Sequence, residues 1–237
     1  MKLFFVRHAK SIANEEDKAL RSELKEKHGG GDHLHPHCGF RQADELVGVL
    51  KQYEFDHIYI SPSKRTIQTI APYLREVKRR GVILPMATEI EDSPLLSLPN
   101  LFGGEKARNK WIGKLLGQSK TRTKPIEKLT EFDDVLTYSP EFPDTEVKGE
   151  AHADGVARAH RLARFLRKQH GHTEESVLLV SHGTMGRFLL AHLTQDESIH
   201  LHHPDNAKLW LLLNADGKFH IKINNGNVEG NRSSKHT

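Results

Sequence analysis

Five short runs rich in β-branched and large apolar residues recur along the chain: Leu3 to Val6, His57 to Ile60, Val82 to Met86, Val177 to Ser181 and Leu209 to Leu213. Segments of helical periodicity separate most of them. Strands alternating with helices are the pattern of an α/β sheet, and most of its strands should be parallel, because a parallel pair needs a crossover long enough to hold a helix. Ala43, Leu46, Val47 and Leu50 share one helical face, Ile67, Ile70, Ala71 and Leu74 a second, and Val156, Ala159, Ala163 and Leu166 a third. Each stripe can cover a sheet, so the expected fold is a three-layer α/β/α arrangement with helices on both faces of a mostly parallel central sheet. Ser61-Pro62 suits a helix entrance, and Asp154 suits a cap for the third helix.

Between about residues 94 and 149 the periodicity weakens while prolines and glycines accumulate, with one short helix suggested by Trp111, Ile112, Leu115 and Leu116. This segment reads as an insertion packed over the sheet edge, within a single domain spanning 1–223. From Asn224 on the chain is polar, and 224–237 is expected to be a disordered tail. No window approaches the roughly 20 consecutive apolar residues of a membrane span, and Leu3 to Val6 is too short for a signal peptide. A soluble, cytoplasmic protein with no membrane partner is the expectation. Cys38 is the only cysteine, so it has no internal disulfide partner, and no catalytic role is expected of it.

The first run leads directly into Arg7-His8, and the fourth into His182-Gly183. Ligand crevices of open α/β sheets lie outside the carboxyl ends of the strands, so these two histidines can face one another there. The second run leads into Ser61-Pro62-Ser63-Lys64-Arg65, which places Arg65 at the start of a helix, where unsatisfied N–H groups favour an anion. Guanidinium forks match phosphoryl oxygens, and phosphoryl transfer needs mainly positioning and charge neutralisation. The nucleophile has to be an imidazole whose far nitrogen is held by an acceptor, and His8, set just past a rigid strand, meets that need. The stretch Lys106 to Lys128 holds eight of the chain's lysines and arginines, which suits anionic substrates. It lacks the interleaved aromatics of a nucleic-acid surface, and no nucleic-acid partner is expected.

Phe5-Val6-Arg7-His8-Ala9-Lys10-Ser11 with Asn14 resembles the opening signature of the histidine phosphatase superfamily, the phosphoglycerate-mutase-like enzymes. Ser61 to Thr69 resembles its second motif, and Val180-Ser181-His182-Gly183 its third. Gly39 with Gln42-Ala43, Gly149-Glu150 with Arg158, and Asn206-Ala207 fall in the family's order. Carried onto this chain, the resemblance implies that His8 is phosphorylated, that Arg7, Arg65, His182 and Gly183 form the phosphate pocket with Asn14 as a further donor, and that neither metal nor cofactor is required. Ala9 and Lys10 depart from the glycine and acidic residue usual after the nucleophile and resemble the short phosphohistidine-phosphatase branch, but this chain is much longer and holds a candidate acid, so it is not placed there. A carboxyl must protonate the leaving group, and Glu89 resembles the family position best, with Glu91 and Asp92 as neighbours.

The implied activity is hydrolysis of a small-molecule phosphomonoester. A phosphoglycerate mutase using the same intermediate, and a phosphate-binding protein without turnover, are the alternatives. The cluster His28, His33, His35, His37 and Cys38 carries zinc-ligand chemistry, but glycine-rich spacing offers no rigid scaffold and no metal site is expected there. Oligomeric state has no signature in the sequence.

Overall fold

Leu3 and Phe5 of the first strand, β1 (Lys2–Arg7), are fully buried, and Phe4 and Val6 between them are buried as well. A strand hidden on both faces needs a layer of helices on each side, and the computed structural model provides them. It describes residues 1–90, 122–143, 145–201, 203–215, 217–224 and 227–228. The remaining strands are β2 (His57–Ile60), β3 (Gly81–Ile83), β4 (Arg122–Pro125), β5 (Leu136–Thr137), β6 (Thr145–Lys148), β7 (Ser176–Ser181), β8 (Leu209–Ala215), β9 (Lys218–Asn224) and β10 (Asn227–Val228). Among the described residues the α-helices are α1 (Lys18–His28), α2 (Cys38–Leu50), α3 (Lys64–Glu76), α4 (His152–His170) and α5 (Gly183–Thr194).

The main sheet has the order β10-β9-β8-β1-β7-β2-β3-β5. β1, β7, β2, β3 and β5 pair in parallel, and β8, β9 and β10 extend the other edge antiparallel. Leu3, Phe5, Val177 and Leu179 face α4 and α5, meeting Leu162, Leu166, Leu189 and Leu193. Phe4, Val6, Leu178 and Val180 face α2 and α3, meeting Leu46, Leu50, Ile67, Ile70 and Leu74. Each large aliphatic side chain so buried contributes about 1.5–3 kcal/mol. The three stripes read from the sequence are the faces that cover the sheet, with Val47 and Val156 at their partly exposed margins.

Several boundaries differ from the sequence expectation for local reasons. The third run forms strand only over Gly81–Ile83, since Pro85 has no N–H for a ladder and starts a 3-10 turn, Pro85–Ala87. α3 begins at Lys64 with Ser63 as N-cap, so Pro62 lies ahead of the cap. α4 is capped by Ala151, and Asp154 sits in its first turn, where its charge still suits the helix dipole. The expected short helix at Trp111 to Leu116 lies outside the described residues. Later in the same segment β4 pairs with β6, and β5 joins the main sheet at its edge beside β3. Leu129, Phe132 and Val135 are buried in the α2–α3 side of the core, so this stretch is part of the domain's packing. The expected tail is corrected at its start: Asn224 ends β9, and Asn227–Val228 pairs antiparallel with it. Backbone pairing at an open sheet edge holds these residues beside β9. α1, unmarked in the sequence, buries only Leu24; Asp17 caps it by accepting from the N–H groups of Ala19 and Leu20 at 2.8 and 3.1 Å. No described helix is long and apolar enough to cross a membrane.

Candidate active site

β1 and β7 are adjacent and parallel with Arg7 opposite Ser181, so the residues that follow, His8 and His182, emerge side by side. Their ring centroids are 5.3 Å apart, and the His8 N–H donates to the Ser181 carbonyl at 2.9 Å. Both rings are buried. His8 Nδ1 lies 2.8 Å from its neighbour's carbonyl, Ala9 O. That acceptor selects the Nδ1–H tautomer and leaves Nε2 with its lone pair outward, the form a nucleophile requires. Burial, then the positive charge of Arg65, holds the imidazole well below its ordinary pKa, so it is neutral near pH 7. The turn is tied on both sides: Asn206 Nδ2 donates to the His8 carbonyl at 2.7 Å, and the Ala9 N–H donates to Thr69 Oγ1 at 2.9 Å. Thr69 in turn donates to the Arg65 carbonyl at 2.7 Å, which couples the His8-Ala9 turn to α3.

Arg65 Nη2 donates to His182 Nδ1 at 3.1 Å, and His182 Nε2 lies 2.7 Å from Ser61 Oγ. His182 thereby holds the guanidinium in place from behind. On its other side Arg65 Nη1 pairs with Asp32 at 2.9 Å, and the same aspartate accepts from the Lys64 N–H at the first turn of α3. Arg7 Nη1 donates to the Pro204 carbonyl at 2.9 Å. The Nε atoms of both Arg7 and Arg65 are buried without a hydrogen-bond partner. Buried, unpaired guanidinium N–H groups are costly, and two of them beside a neutral imidazole are the donors an oxyanion would satisfy. Gly183 opens α5 and approaches Arg7 so closely that a Cβ there would lie 3.1 Å from the guanidinium carbon and 2.9 Å from His203 Nδ1. A side chain at 183 would have to shift the His203 ring and crowd the arginine.

Glu89 Oε1 accepts from the N–H groups of Met185 and Ile90, both at 3.0 Å. Burial raises its pKa above the usual carboxylate range, and the Met185 N–H and the charges of Arg65 and Arg7 moderate the rise. A buried carboxyl with an elevated pKa suits a proton donor. Its backbone is held by a residue distant in sequence: Arg158 donates to the carbonyls of Met86 at 2.9 Å, Thr88 at 2.6 Å and Glu89 at 3.0 Å. Arg158 is itself neutralised by the buried carboxylate of Glu150.

A cavity of about 490 Å³ is lined by Arg7, Asn14, Glu89, Ile90, Gly183, Thr184 and His203. Asn14 Oδ1 accepts from the Ser11 N–H at 3.1 Å and hydroxyl at 2.8 Å, so the amide's NH2 end is its remaining donor. The structure therefore brings together Arg7, His8, Arg65, His182, Gly183, Asn14 and Glu89. Glu91 and Asp92, the other candidate acids, lie outside the described residues, as does the basic stretch before Arg122. Ala9, where a glycine is usual, is fully buried against Leu34 and Ala43. Lys10 turns to solvent and pairs with Glu15 at 2.9 Å. In the histidine cluster, His33 Nδ1 lies 3.2 Å from Gln68 Nε2 and His35 pairs with Glu15 at 3.2 Å. Sequence reading did not assign Ser61, Asp32 or Thr69, and it read His203 as part of a surface turn before Asn206, whereas His203 lines the cavity. Ser61 and Thr69 stand inside a recognised motif, while nothing near Asp32 in the chain marks it.

A family model described as histidine phosphatase superfamily (branch 1) matches residues 3–91 and 113–226. Comparison with curated proteins finds no match. Among solved structures, the chain is similar to the alpha-ribazole phosphatase from Shigella flexneri, with TM-score 0.60 and 18% identity over 96% of this chain and 98% of that one. It is also similar to the phosphoserine phosphatase from Entamoeba histolytica, crystallised with 3-phosphoglyceric acid, with TM-score 0.58 and 16% identity over 94% and 96% of the two chains. A mycobacterial glucosyl-3-phosphoglycerate phosphatase in complex with VO3 gives TM-score 0.57 and 18% identity over 94% and 98%. At these identities the structural likeness establishes the shared fold, and the family match over both halves of the chain establishes that this protein belongs to the histidine phosphatase superfamily.

Proposed function

We propose that the protein hydrolyses small phosphomonoesters without a metal ion, through a phosphohistidine formed on His8. The observation that carries this reading is the neutral His8, pinned through Nδ1 to the Ala9 carbonyl, beside the buried and unpaired Nε–H groups of Arg7 and Arg65. A substrate phosphate takes those N–H donors, with Asn14 Nδ2 and the α5 N-terminus at Gly183 as further donors. His8 Nε2 attacks phosphorus as the ester P–O bond breaks, and Glu89 gives its proton to the leaving oxygen. Water then attacks phosphorus, its proton passes to Glu89, the N–P bond breaks, and phosphate departs. Arg7 and Arg65 neutralise charge throughout, and His182 holds Arg65 in register.

The test follows the phosphorus atom. Incubation with a 32P-labelled sugar or nucleotide phosphate, quenched under conditions that preserve phosphohistidine, should give label on His8 and multiple turnovers of inorganic phosphate. Return of the label to a second hydroxyl, accelerated by bisphosphoglycerate, would favour a mutase instead. Tight vanadate binding with no labelling and no turnover would favour a binding protein.

The reaction needs Glu89 protonated and His8 unprotonated. Since burial raises the first pKa and lowers the second, kcat/KM should fall as pH rises through that of Glu89 and fall again in acid through that of His8. Glu89→Gln should lower kcat/KM for an alkyl phosphate by about 10²–10⁴-fold, and by much less for p-nitrophenyl phosphate, whose leaving group needs no proton. Equal losses on the two substrates would remove Glu89 from the role of acid.

A further inference from the structure

Glu175 lies just before β7, His57 opens β2 and His170 ends α4, so all three sit at the amino ends of the parallel strands. His8 and His182 stand at the carboxyl ends, about 20 Å away along a strand of this length. His170 Nδ1 is 2.8 Å from Glu175 Oε2, His57 Nε2 is 3.4 Å from Glu175 Oε1, and the two imidazole centroids are 4.5 Å apart. One ligand atom from each residue falls within 4.8 Å of the others. Tetrahedral zinc with N and O ligands places its donors about 3.3 Å apart, so small side-chain adjustments suffice. We infer that His57, His170 and Glu175 form a site for a divalent transition-metal ion, zinc by ligand type, remote from the phosphate pocket.

Three features prepare the donors. His170 Nε2 lies 3.1 Å from the Tyr59 hydroxyl, which directs Nδ1 to the metal position, the outer-shell arrangement typical of metal-bound histidine. Tyr59 is itself fixed edge-on against Phe165 and Phe142. Thr173 Oγ1 donates to Glu175 Oε2 at 2.9 Å, orienting the carboxylate. His170 is buried, while His57 and Glu175 are 39% and 35% exposed at the side chain, so an ion can enter from solvent and keep a water in the fourth position. A bound ion would tie the start of β2 to the end of α4 and the start of β7. The sequence gives no hint of it, because the ligands are spaced by 113 and 5 positions, unlike any short zinc motif.

The chain has 17 histidines, and a stacked pair, His160 and His192 with centroids 4.1 Å apart, offers a competing surface site. Location is therefore assigned by substitution. The full chain without an affinity tag, stripped with chelator, is titrated with Zn2+ against a chromogenic zinc chelator, and melting is followed by circular dichroism. One equivalent of zinc should bind in the micromolar range or tighter and raise the Tm. His57→Ala and Glu175→Gln should each weaken binding by at least about 100-fold and remove the Tm shift. His160→Ala should bind as the parent does, and all three should hydrolyse p-nitrophenyl phosphate within about twofold of it. Glu175→Gln keeps the carbonyl acceptor for Thr173 and His170, so it reports on the site even if His57→Ala perturbs the strand end. Failure of the parent chain to hold zinc, or binding that survives both substitutions, overturns the assignment.

Discussion

Alanine at position 8 is expected to lower kcat/KM for p-nitrophenyl phosphate by roughly 10⁴-fold or more, about 5.5 kcal/mol of transition-state stabilisation, while the protein stays folded. The loss is large because the adjacent imidazole is already engaged. His182 has Nδ1 engaged by Arg65 and Nε2 by Ser61, so its nitrogens face the pocket walls. The arginines and the α5 N-terminus survive, so phosphate and vanadate should still bind, and what disappears is the covalent step. Residual hydrolysis within tenfold of the parent, or label still trapped on the chain, would refute His8 as the phosphorylated residue. A smaller effect accompanies it. Because the folded-state pKa of His8 is depressed, the folded protein binds fewer protons than the unfolded chain once the pH drops below the ordinary imidazole value. Stability should fall in that window, and a variant without the imidazole should fall less.

Arg158→Leu is expected to destabilise the fold by about 3–5 kcal/mol, as removal of one partner of a buried ion pair does. Glu150 would be left charged and only 5% exposed, and the carbonyls of Met86, Thr88 and Glu89 would lose their donor. Urea denaturation at pH 7 measures the first effect. The second is kinetic, since those carbonyls belong to the segment that aims Glu89 at the pocket. Removing the charge as well, in Glu150→Gln/Arg158→Leu, should restore much of the stability but little of the activity toward an alkyl phosphate, with p-nitrophenyl phosphate spared. A loss below about 1 kcal/mol in the single variant, or joint recovery of stability and alkyl-phosphate turnover in the double one, would show that Arg158 does not position the acid.

The chain's local chemistry made much of this legible. Residues alternating to both faces of β1 and β7 and the stripes on α2, α3 and α4 are short-range patterns, which is why the layered sheet could be read from them. The strand-to-histidine junctions put His8 and His182 side by side at the strand ends for the same reason. Asn206, Gly149-Glu150 and Arg158 were visible only as residues in a family's order. Their work, holding the His8 carbonyl and clamping the Glu89 loop, exists only across separations of 198 and 69 positions.

Periodicity and turn chemistry act within a few residues, so the sequence by itself determined where β1, β2, β7, β8 and the helices α2, α3 and α4 run, which faces those helices bury, and which imidazoles stand at strand ends. Chain folding alone decided that Asp32 braces Arg65, that Leu129 to Leu136 belongs to the core, and that β10 adds to an open edge. It likewise decided that His57, His170 and Glu175 meet. The physical reason is one of range: hydrogen bonds and ion pairs require a few ångströms in space, and nothing in a residue's near neighbours along the chain records which distant partner will supply them.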